Sequence, residues 1–195
     1  SARIEIDCAL MVIDARYGPG NGHVIPGGPL RARLRDQLLY TDAILTMGEG
    51  TAADAVVRRA ARSGKPIFEA RTKPRGRKAF AGRKLLAFAG IGHPEKFFAS
   101  VEEAGGIVAL KRPFPDHHFY AEDELADLAH EADKAGLGLV TTAKDAVRLQ
   151  KDAVPAGFLE TLGVLEIETV FESATMPERI IGQTLEAWDR RRLRG

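Results

Sequence analysis

Apolar runs of strand length alternate with segments of helical periodicity along this chain. A continuous apolar run is typical of a strand buried on both faces, whereas apolar residues every three or four positions are typical of a helix with one buried face. Strands are predicted at residues 8–13, 43–47, 66–70, 84–89, 107–110, 139–141 and 164–171. Helices are predicted at residues 30–40, 51–63, 122–135, 144–149 and 177–192, with another opened by Pro94. This alternation predicts an α/β fold with a mainly parallel sheet.

Composition narrows the classes of protein that the chain can belong to. With 195 residues, 45% of them hydrophobic, it is long enough to bury a core. Its 28 basic and 27 acidic residues leave a formal charge of +1, which argues against a nucleic-acid partner. The single cysteine, Cys8, excludes an internal disulfide and a cysteine metal site, and it favours a reducing, cytoplasmic setting.

The sequence also bears on membrane contact. It contains no run of about 20 apolar residues, the length that a spanning helix needs. Two basic clusters would allow a peripheral contact with anionic head groups. They are Arg71, Lys73, Arg75, Arg77 and Lys78, and Arg190, Arg191, Arg192 and Arg194. A solvated loop and a frayed helix end are the alternative interpretation of these clusters.

Ligands of parallel α/β folds gather at the carboxyl ends of the strands, so the loops that follow strands are the candidate sites. The loop after Asp14 contains Gly20, Asn21 and Gly22. Glycine adopts positive φ easily and can present backbone N–H groups to an anion, and an asparagine amide adds another donor. A tight solvent-exposed turn is the alternative interpretation.

A second loop, residues 26–31, combines two prolines and two glycines with Arg31. The predicted helix follows at once, and helix N-termini attract phosphate. Arg31 in a first turn is disfavoured by the helix dipole, which suggests an anionic partner for its guanidinium. The alternative is that Arg31 is one of several surface charges on this helix.

A third loop contains Asp116, His117 and His118 in a turn bounded by prolines. An imidazole beside a carboxylate suits proton abstraction from a hydroxyl, because the anion stabilises the imidazolium. Metal binding is a rival, although neighbouring histidines in a turn diverge and no further ligand cluster is evident. A surface turn without a chemical role is the remaining alternative.

Six ordered motifs make the chain resemble the tetraacyldisaccharide 4'-kinase family of lipid A biosynthesis. They are residues 12–16 (VIDAR), 20–22 (GNG), 25–31 (IPGGPLR), 88–98 (FAGIGHPEKFF), 114–120 (FPDHHFY) and 141–149 (TTAKDAVRL). The resemblance extends from Asp7 to about Phe171. It implies a Rossmann-like, mainly parallel sheet with flanking helices, as part of a two-domain P-loop kinase. The expected divisions are a kinase-domain remnant at 1–33, a C-terminal α/β domain at 34–165, and a strand and helix at 166–195 that pack back on the kinase domain.

The family resemblance implies a reaction and its cofactors. Such kinases transfer the γ-phosphate of ATP, with Mg²⁺, to the 4'-hydroxyl of a tetraacylated glucosamine disaccharide 1-phosphate. The family carries its phosphate-binding loop, a catalytic aspartate and a metal-binding motif in an N-terminal region, and none of these motifs occurs in this sequence. Because phosphoryl transfer depends on positioning and charge neutralisation, we expect the 195-residue chain to be inactive alone.

The resemblance also assigns roles to individual residues. His117 corresponds to the family histidine that pairs with the catalytic aspartate, and Asp116 is its neighbour in the motif. Arg31 and the Gly20–Asn21–Gly22 turn are expected near the substrate or the transferred phosphate, with His118 beside them. The sequence departs from the family pattern at Pro19, Ala32 and Ala143. The missing acidic residue at position 32 bears on the role of Arg31, and Pro19 bears on contact with acyl chains.

The family resemblance also implies a substrate and a location, and the residues leave other functions open. The family implies a lipid A precursor as substrate and a peripheral position on the cytoplasmic face of the inner membrane. The chain begins almost inside a central strand, so an apolar edge would promote self-association. The alternatives are a non-catalytic α/β ligand-binding module and an interaction module that completes a split enzyme; a phosphatase or deacetylase is disfavoured by the incomplete metal-ligand set.

Overall fold

Strands and helices alternate along the protein, as the apolar pattern predicts. The computed structural model describes residues 5–76, 78–149 and 154–193. The strands are β1 Leu10–Asp14, β2 Ala43–Met47, β3 Ile67–Pro74, β4 Lys84–Ala89, β5 Ile107–Pro113, β6 Gly138–Thr142, β7 Leu162–Leu165 and β8 Ile167–Phe171. The helices are α1 Leu34–Leu39, α2 Asp54–Arg62, α3 Pro94–Glu103, α4 Glu122–Ala135, α5 Ala143–Arg148, α6 Phe158–Thr161 and α7 Met176–Arg192. The predicted α/β class is confirmed.

The chain divides into two compact units. The first unit contains residues 1–72 and 169–195, and the second contains residues 73–168. The divisions expected from the family lay at residues 33 and 165. Residues 34–72 group with the first segment because β2 pairs with β1, and β3 pairs with β2.

A four-stranded sheet in the order β1-β2-β3-β8 forms the first unit. The β1–β2 and β2–β3 pairs are parallel. Four of the five residues of β2 are buried because the strand lies between two neighbours. Ile44 packs with Val56 of α2 in one apolar cluster, and Leu45 packs with Met176 of α7 in another.

The second unit has its own four-stranded sheet in the order β5-β4-β6-β7, with all three strand pairs parallel. Strand β4 is buried along all but its first residue, as its apolar sequence predicts. Leu85 and Ala87 face a cluster that contains Phe98, whereas Leu86 and Phe88 face one that contains Leu125. The carboxyl ends of parallel β4, β5 and β6 therefore lie at one edge of this sheet.

Several predicted elements have other bounds in the structure, since β3 ends at Pro74 and β5 at Pro113. Two further differences change a loop and the division into sheets. Helix α1 begins at Leu34 instead of residue 30, because Leu30 forms a bridge with Val24 and exchanges backbone hydrogen bonds within the preceding loop. The single strand predicted at 164–171 is two strands in different sheets. Leu165 packs in the second unit's core and Phe171 packs in the first unit's, with Glu166 between the two strands.

None of the helices in the described part of the chain has the length and apolar character that a membrane span requires. Arg77 and Arg194, which belong to the two basic clusters, lie outside the described residues.

Candidate active site

The turn after β5, residues 114–121, carries the predicted Asp-His-His motif and is here called the histidine turn. It follows the carboxyl end of β5, beside the end of β4. The amide of His117 donates to the carbonyl oxygen of Gly90, the first residue after β4, over 3.1 Å. His117 is the only described non-glycine residue with positive φ, at 62°. A left-handed conformation is uncommon for such residues and is concentrated at functional sites. The contacts around His117 must therefore hold its backbone in this conformation.

The imidazole of His117 is contacted by Arg148, at the end of α5. Arg148 Nη2 lies 3.1 Å from His117 Nδ1, and Arg148 Nη1 donates to Gly90 O over 3.0 Å. The same Nη1 also donates to Asp145 Oδ1 over 3.3 Å. The guanidinium thus bonds to groups that follow β4, β5 and β6, which fixes the histidine turn against the edge of the sheet.

The side chain of Asp145, which pairs with this arginine, is fully buried. Its Oδ2 accepts the Thr142 hydroxyl at 2.7 Å and the Gly90 amide at 3.2 Å. The Thr142 hydroxyl in turn accepts the Asp145 amide, which caps α5. A buried charge requires such partners, and Arg148 provides the opposite charge.

Asp116 and His117 are adjacent but are not hydrogen-bonded. His117 Nε2 lies 3.9 Å from Asp116 Oδ2, and the two side chains are 75% and 53% exposed. This distance is too long for a hydrogen bond, so Asp116 contributes charge near the imidazole. The His117 side chain is exposed, and its Nε2 makes no hydrogen bond with a described residue, so a ligand can reach this nitrogen.

His118 points to a different environment. Its Nε2 lies 2.8 Å from Glu124 Oε2, and its ring stacks on Phe114 with centroids 4.8 Å apart. The pKa of Glu124 is lowered, first because the Ala121 amide donates to the carboxylate and second because His118 does. His118 therefore braces the turn against the start of α4, and its part in substrate binding stays a prediction.

Tyr120 closes the buried side of the histidine turn. Its ring packs edge-on against Phe88, with centroids 5.5 Å apart. Its hydroxyl is buried and has no hydrogen-bond partner among the described residues. The pKa of the phenol is raised, chiefly because burial penalises the phenolate and also because the Asp145 carboxylate is near. The hydroxyl and that carboxylate do not have the geometry of a hydrogen bond.

The two predicted glycine-rich loops form one loop in the first unit, residues 15–33, here called the glycine loop. Asn21 Nδ2 donates to Gly27 O over 2.9 Å, and Asn21 Oδ1 accepts the His23 amide at 3.1 Å. Gly20 and Gly22 have the expected positive φ, 64° and 75°. Their amides donate to carbonyl oxygens inside the loop. These groups shape the loop, and their contact with phosphate stays a prediction.

Arg31 lies in a bend of the glycine loop. The expectation that it occupies the first turn of a helix is wrong, because α1 begins three residues later. Its exposed guanidinium forms no hydrogen bond or ion pair with any residue that the structure describes. It therefore remains available to an anion, without help from the helix dipole.

The candidate residues fall in both units. Gly20, Asn21, Gly22 and Arg31 belong to the first unit, and the histidine turn belongs to the second. Sequence reasoning did not single out Gly90, Asp145 or Arg148. A signal for the last two was present, because the motif at 141–149 places a carboxylate and a cation one helical turn apart after a strand.

The residues that the structure describes do not form an ATP–magnesium centre by themselves. No group of three or more His, Cys, Asp or Glu with metal-binding geometry occurs within residues 5–76, 78–149 and 154–193. The sequence also lacks the G-x-x-x-x-G-K-[ST] pattern whose backbone holds nucleotide phosphates. No step through a bound metal or nucleotide can therefore be built from these residues.

Comparisons with known proteins place this α/β chain in a kinase family. The family model of tetraacyldisaccharide-1-P 4'-kinase matches residues 1–185. A tetraacyldisaccharide 4'-kinase of Mesorhizobium japonicum is 66% identical over 194 residues, and one of Rhizobium meliloti is 48% identical over 195. The chain belongs to the tetraacyldisaccharide-1-P 4'-kinase family.

The chain covers only part of these relatives. All of it aligns, yet it spans 57% of the Mesorhizobium protein and 56% of the Rhizobium protein. The crystal structure of LpxK from Aquifex aeolicus in complex with ATP has the same fold, with a TM-score of 0.57 at 19% identity. That match covers 91% of this chain and 52% of the LpxK chain.

Proposed function

We propose that this chain is the C-terminal part of a tetraacyldisaccharide 4'-kinase and supplies His117 to its active site. The reaction is the ATP-dependent phosphorylation of the 4'-hydroxyl of a tetraacyl glucosamine disaccharide 1-phosphate, a step of lipid A biosynthesis. The observation that carries the proposal is the exposed imidazole of His117, held by Gly90 and Arg148 at the carboxyl edge of a parallel sheet. Family membership supplies the reaction.

ATP and Mg²⁺ are proposed to be held by residues outside this chain. Support comes from the missing phosphate-binding pattern, from the absence of a metal-ligand cluster among the described residues, and from the 57% coverage of the Mesorhizobium relative. When bound, they would supply the phosphoryl group and neutralise its charge. The chain by itself then transfers no phosphate.

The remaining site residues have narrower proposed roles. Asp116 adds negative charge beside His117, and His118 fixes the turn that carries both. Arg31 offers to a phosphate of the substrate an exposed guanidinium that pairs with no residue the structure describes. The Gly20–Asn21–Gly22 turn shapes the edge of the glycine loop.

The substrate implies a location. A tetraacylated disaccharide is anchored in a lipid bilayer by its acyl chains, so we propose that the enzyme works peripherally on the cytoplasmic face of the inner membrane. Basic residues in the two clusters would meet anionic head groups there. Vesicles containing anionic lipid should retain the chain more than neutral vesicles do, and equal retention by both would contradict this location.

A chimera tests the function. The N-terminal region of the Mesorhizobium relative that precedes the aligned part is fused in front of Ser1, and phosphate transfer from ATP to the disaccharide is compared with that of the 195-residue chain. We expect turnover by the chimera only. His117→Ala should lower kcat of the chimera by about 100-fold or more, the usual loss when a hydrogen-bonding group of an active site is removed.

The matched control is His130→Ala, which changes an exposed histidine on α4. It should leave kcat within about twofold, because His130 lies outside the proposed site. Turnover by the chain alone at the rate of the chimera, or full activity of the His117→Ala chimera, would refute the proposal.

A non-catalytic ligand-binding module is the second candidate, favoured by the absence of the phosphate-binding pattern. Its test is a thermal-shift titration of the chain with ATP and, separately, with a sugar phosphate. A saturable shift with an inactive chimera would favour this module, whereas an active chimera would exclude it.

A further inference from the structure

Arg148 contacts one of the two ring nitrogens of His117 and leaves the other without a hydrogen bond to any described residue. Arg148 Nη2 lies 3.1 Å from His117 Nδ1, whereas His117 Nε2 lies 3.9 Å from Asp116 Oδ2, which is beyond hydrogen-bond distance. A guanidinium in a protein keeps its protons and has no lone pair to offer. In this contact Arg148 is therefore the donor, and His117 Nδ1 is the acceptor.

This donor–acceptor assignment determines the tautomer of the imidazole. An Nδ1 that accepts a hydrogen bond carries no proton, so the proton of the neutral ring lies on Nε2. The opposite tautomer would place an N–H against the N–H of Arg148. The contact therefore selects one of the two neutral tautomers.

Arg148 is itself held from two sides. Its Nη1 donates to the Gly90 carbonyl and to Asp145, which is fully buried. The Asp145 carboxylate is fixed by the Thr142 hydroxyl and the Gly90 amide. Gly90 O also accepts the His117 amide. The backbone of His117 and the guanidinium that contacts its ring are therefore both hydrogen-bonded to Gly90.

We propose that Arg148, braced by Asp145, is a positioning residue that holds His117 as the Nε2–H tautomer, so that the ring offers a hydrogen-bond donor to an oxygen of its partner. This inference rests on the proposed function. It also changes the chemistry expected of His117, because a ring with Nδ1 occupied and Nε2 protonated donates a hydrogen bond and does not abstract a proton from the substrate hydroxyl.

The shape of the arginine matters for this role. Its planar fork lets Nη1 reach Gly90 and Asp145 while Nη2 reaches His117. A lysine at this position would keep the charge, but its single nitrogen lacks the two-nitrogen fork that reaches Asp145 and His117 at once. Arg148→Lys therefore separates the geometric effect from the effect of charge.

The direct test is a long-range ¹H–¹⁵N correlation spectrum of the 195-residue chain labelled at histidine, recorded at pH 8.5, where an ordinary histidine is neutral. We expect His117 in the wild type to be in the Nε2–H tautomer alone. Arg148→Met should mix the two neutral tautomers, and Arg148→Lys should do so in part. Arg112→Met is the matched control, because Arg112 pairs with Glu131 and has no contact with His117.

The chimera defined above provides the kinetic test. Arg148→Met should lower kcat at least about tenfold, with KM for ATP within about twofold, because the group that it positions acts in the reaction and not in nucleotide binding. Far-UV circular dichroism and the thermal midpoint check that the variant is folded.

Three results would overturn the proposal. One is an Nδ1–H tautomer in the wild type, which needs no variant to observe. Another is a folded Arg148→Met chain whose His117 keeps the pure Nε2–H tautomer. The third is unchanged kcat in an Arg148→Met chimera. An inactive wild-type chimera would instead refute the proposed function, while the spectrum of the chain would still decide the role of Arg148.

Discussion

The His117 amide donates to the carbonyl oxygen of Gly90 from a left-handed backbone conformation, φ 62°. The turn thereby places a bulky residue where glycine is usual. A non-glycine residue in this region costs roughly 1–2 kcal/mol, a cost that the surrounding hydrogen bonds must offset. In this conformation the ring of His117 contacts Arg148, so the contact is made at a cost in the free energy of unfolding.

The strain at His117 can be measured by comparing two truncations. His117→Gly should be more stable than His117→Ala by about 0.5–1 kcal/mol, because glycine takes positive φ without a Cβ clash and this gain exceeds its greater freedom in the unfolded chain. Urea unfolding of both variants measures the difference. The same pair at His130, within α4, should show the opposite order by about 1 kcal/mol. Equal stability of the two His117 variants would show that the backbone is unstrained.

Gly90 is predicted to be intolerant of a side chain. A Cβ at this position would lie 3.0 Å from His118 Cβ and 3.2 Å from Pro115 O, which is backbone and cannot move freely. Gly90→Ala should therefore lower the free energy of unfolding by about 1–3 kcal/mol, the usual range for overpacking.

Gly92→Ala is the matched control for Gly90→Ala. Its nearest contact would be Asp116 Oδ2 at 3.5 Å, an ordinary van der Waals distance. We expect a change within about 0.5 kcal/mol, as for most surface substitutions. Denaturant unfolding curves give both values, and a Gly90→Ala protein as stable as Gly92→Ala would contradict the tight packing of the histidine turn.

The Tyr120 hydroxyl is predicted to contribute nothing to stability. It is buried without a hydrogen-bond partner among the described residues. Tyr120→Phe should leave the free energy of unfolding unchanged or raise it by about 1 kcal/mol, because a desolvated, unpaired hydroxyl is removed. Thr141→Val removes a buried hydroxyl that does donate, to Phe88 O at 2.8 Å, and should cost about 1–3 kcal/mol. A clear loss in Tyr120→Phe would reveal a bonded hydroxyl.

Glu124 is predicted to link stability to pH. Its folded-state pKa lies below the ordinary 4.5, first because of the Ala121 amide and second because of His118. Such a carboxylate stabilises the fold fully above pH 4.5, and this stabilisation is lost as the pH falls through the folded-state value. Glu124→Gln should thus be less stable than the wild type at pH 7, and the difference should shrink in acid.

The size of the Glu124 effect is limited by solvent. The side chain is 35% exposed, so we expect about 1 kcal/mol or less at pH 7. Unfolding by urea at several values between pH 3 and pH 7 measures it. Glu122→Gln, in the same helical turn, should change stability less, because Glu122 does not receive the Ala121 amide. A difference that grows in acid would contradict the assignment.

Several elements were predictable because their signals are local. The apolar run Lys84–Ala89 is strand β4 with the predicted bounds, and Glu122–Ala135 is helix α4, ended by Gly136 in the left-handed conformation. Pro94 opens α3 as predicted. The start of α1 was missed because the contact between Val24 and Leu30 holds the preceding residues in a loop.

The sequence by itself determined the α/β class and the family, since both are expressed in residues close together along the chain, and it predicted a role for His117. Only the tertiary structure decided that Asp145 is buried and that Arg148 contacts His117, 31 positions away. The order β5-β4-β6 brings the ends of three strands together, and no local pattern encodes which strands become neighbours. For the same reason, the partition of residues 162–171 between two sheets followed from the two cores that its apolar residues fill.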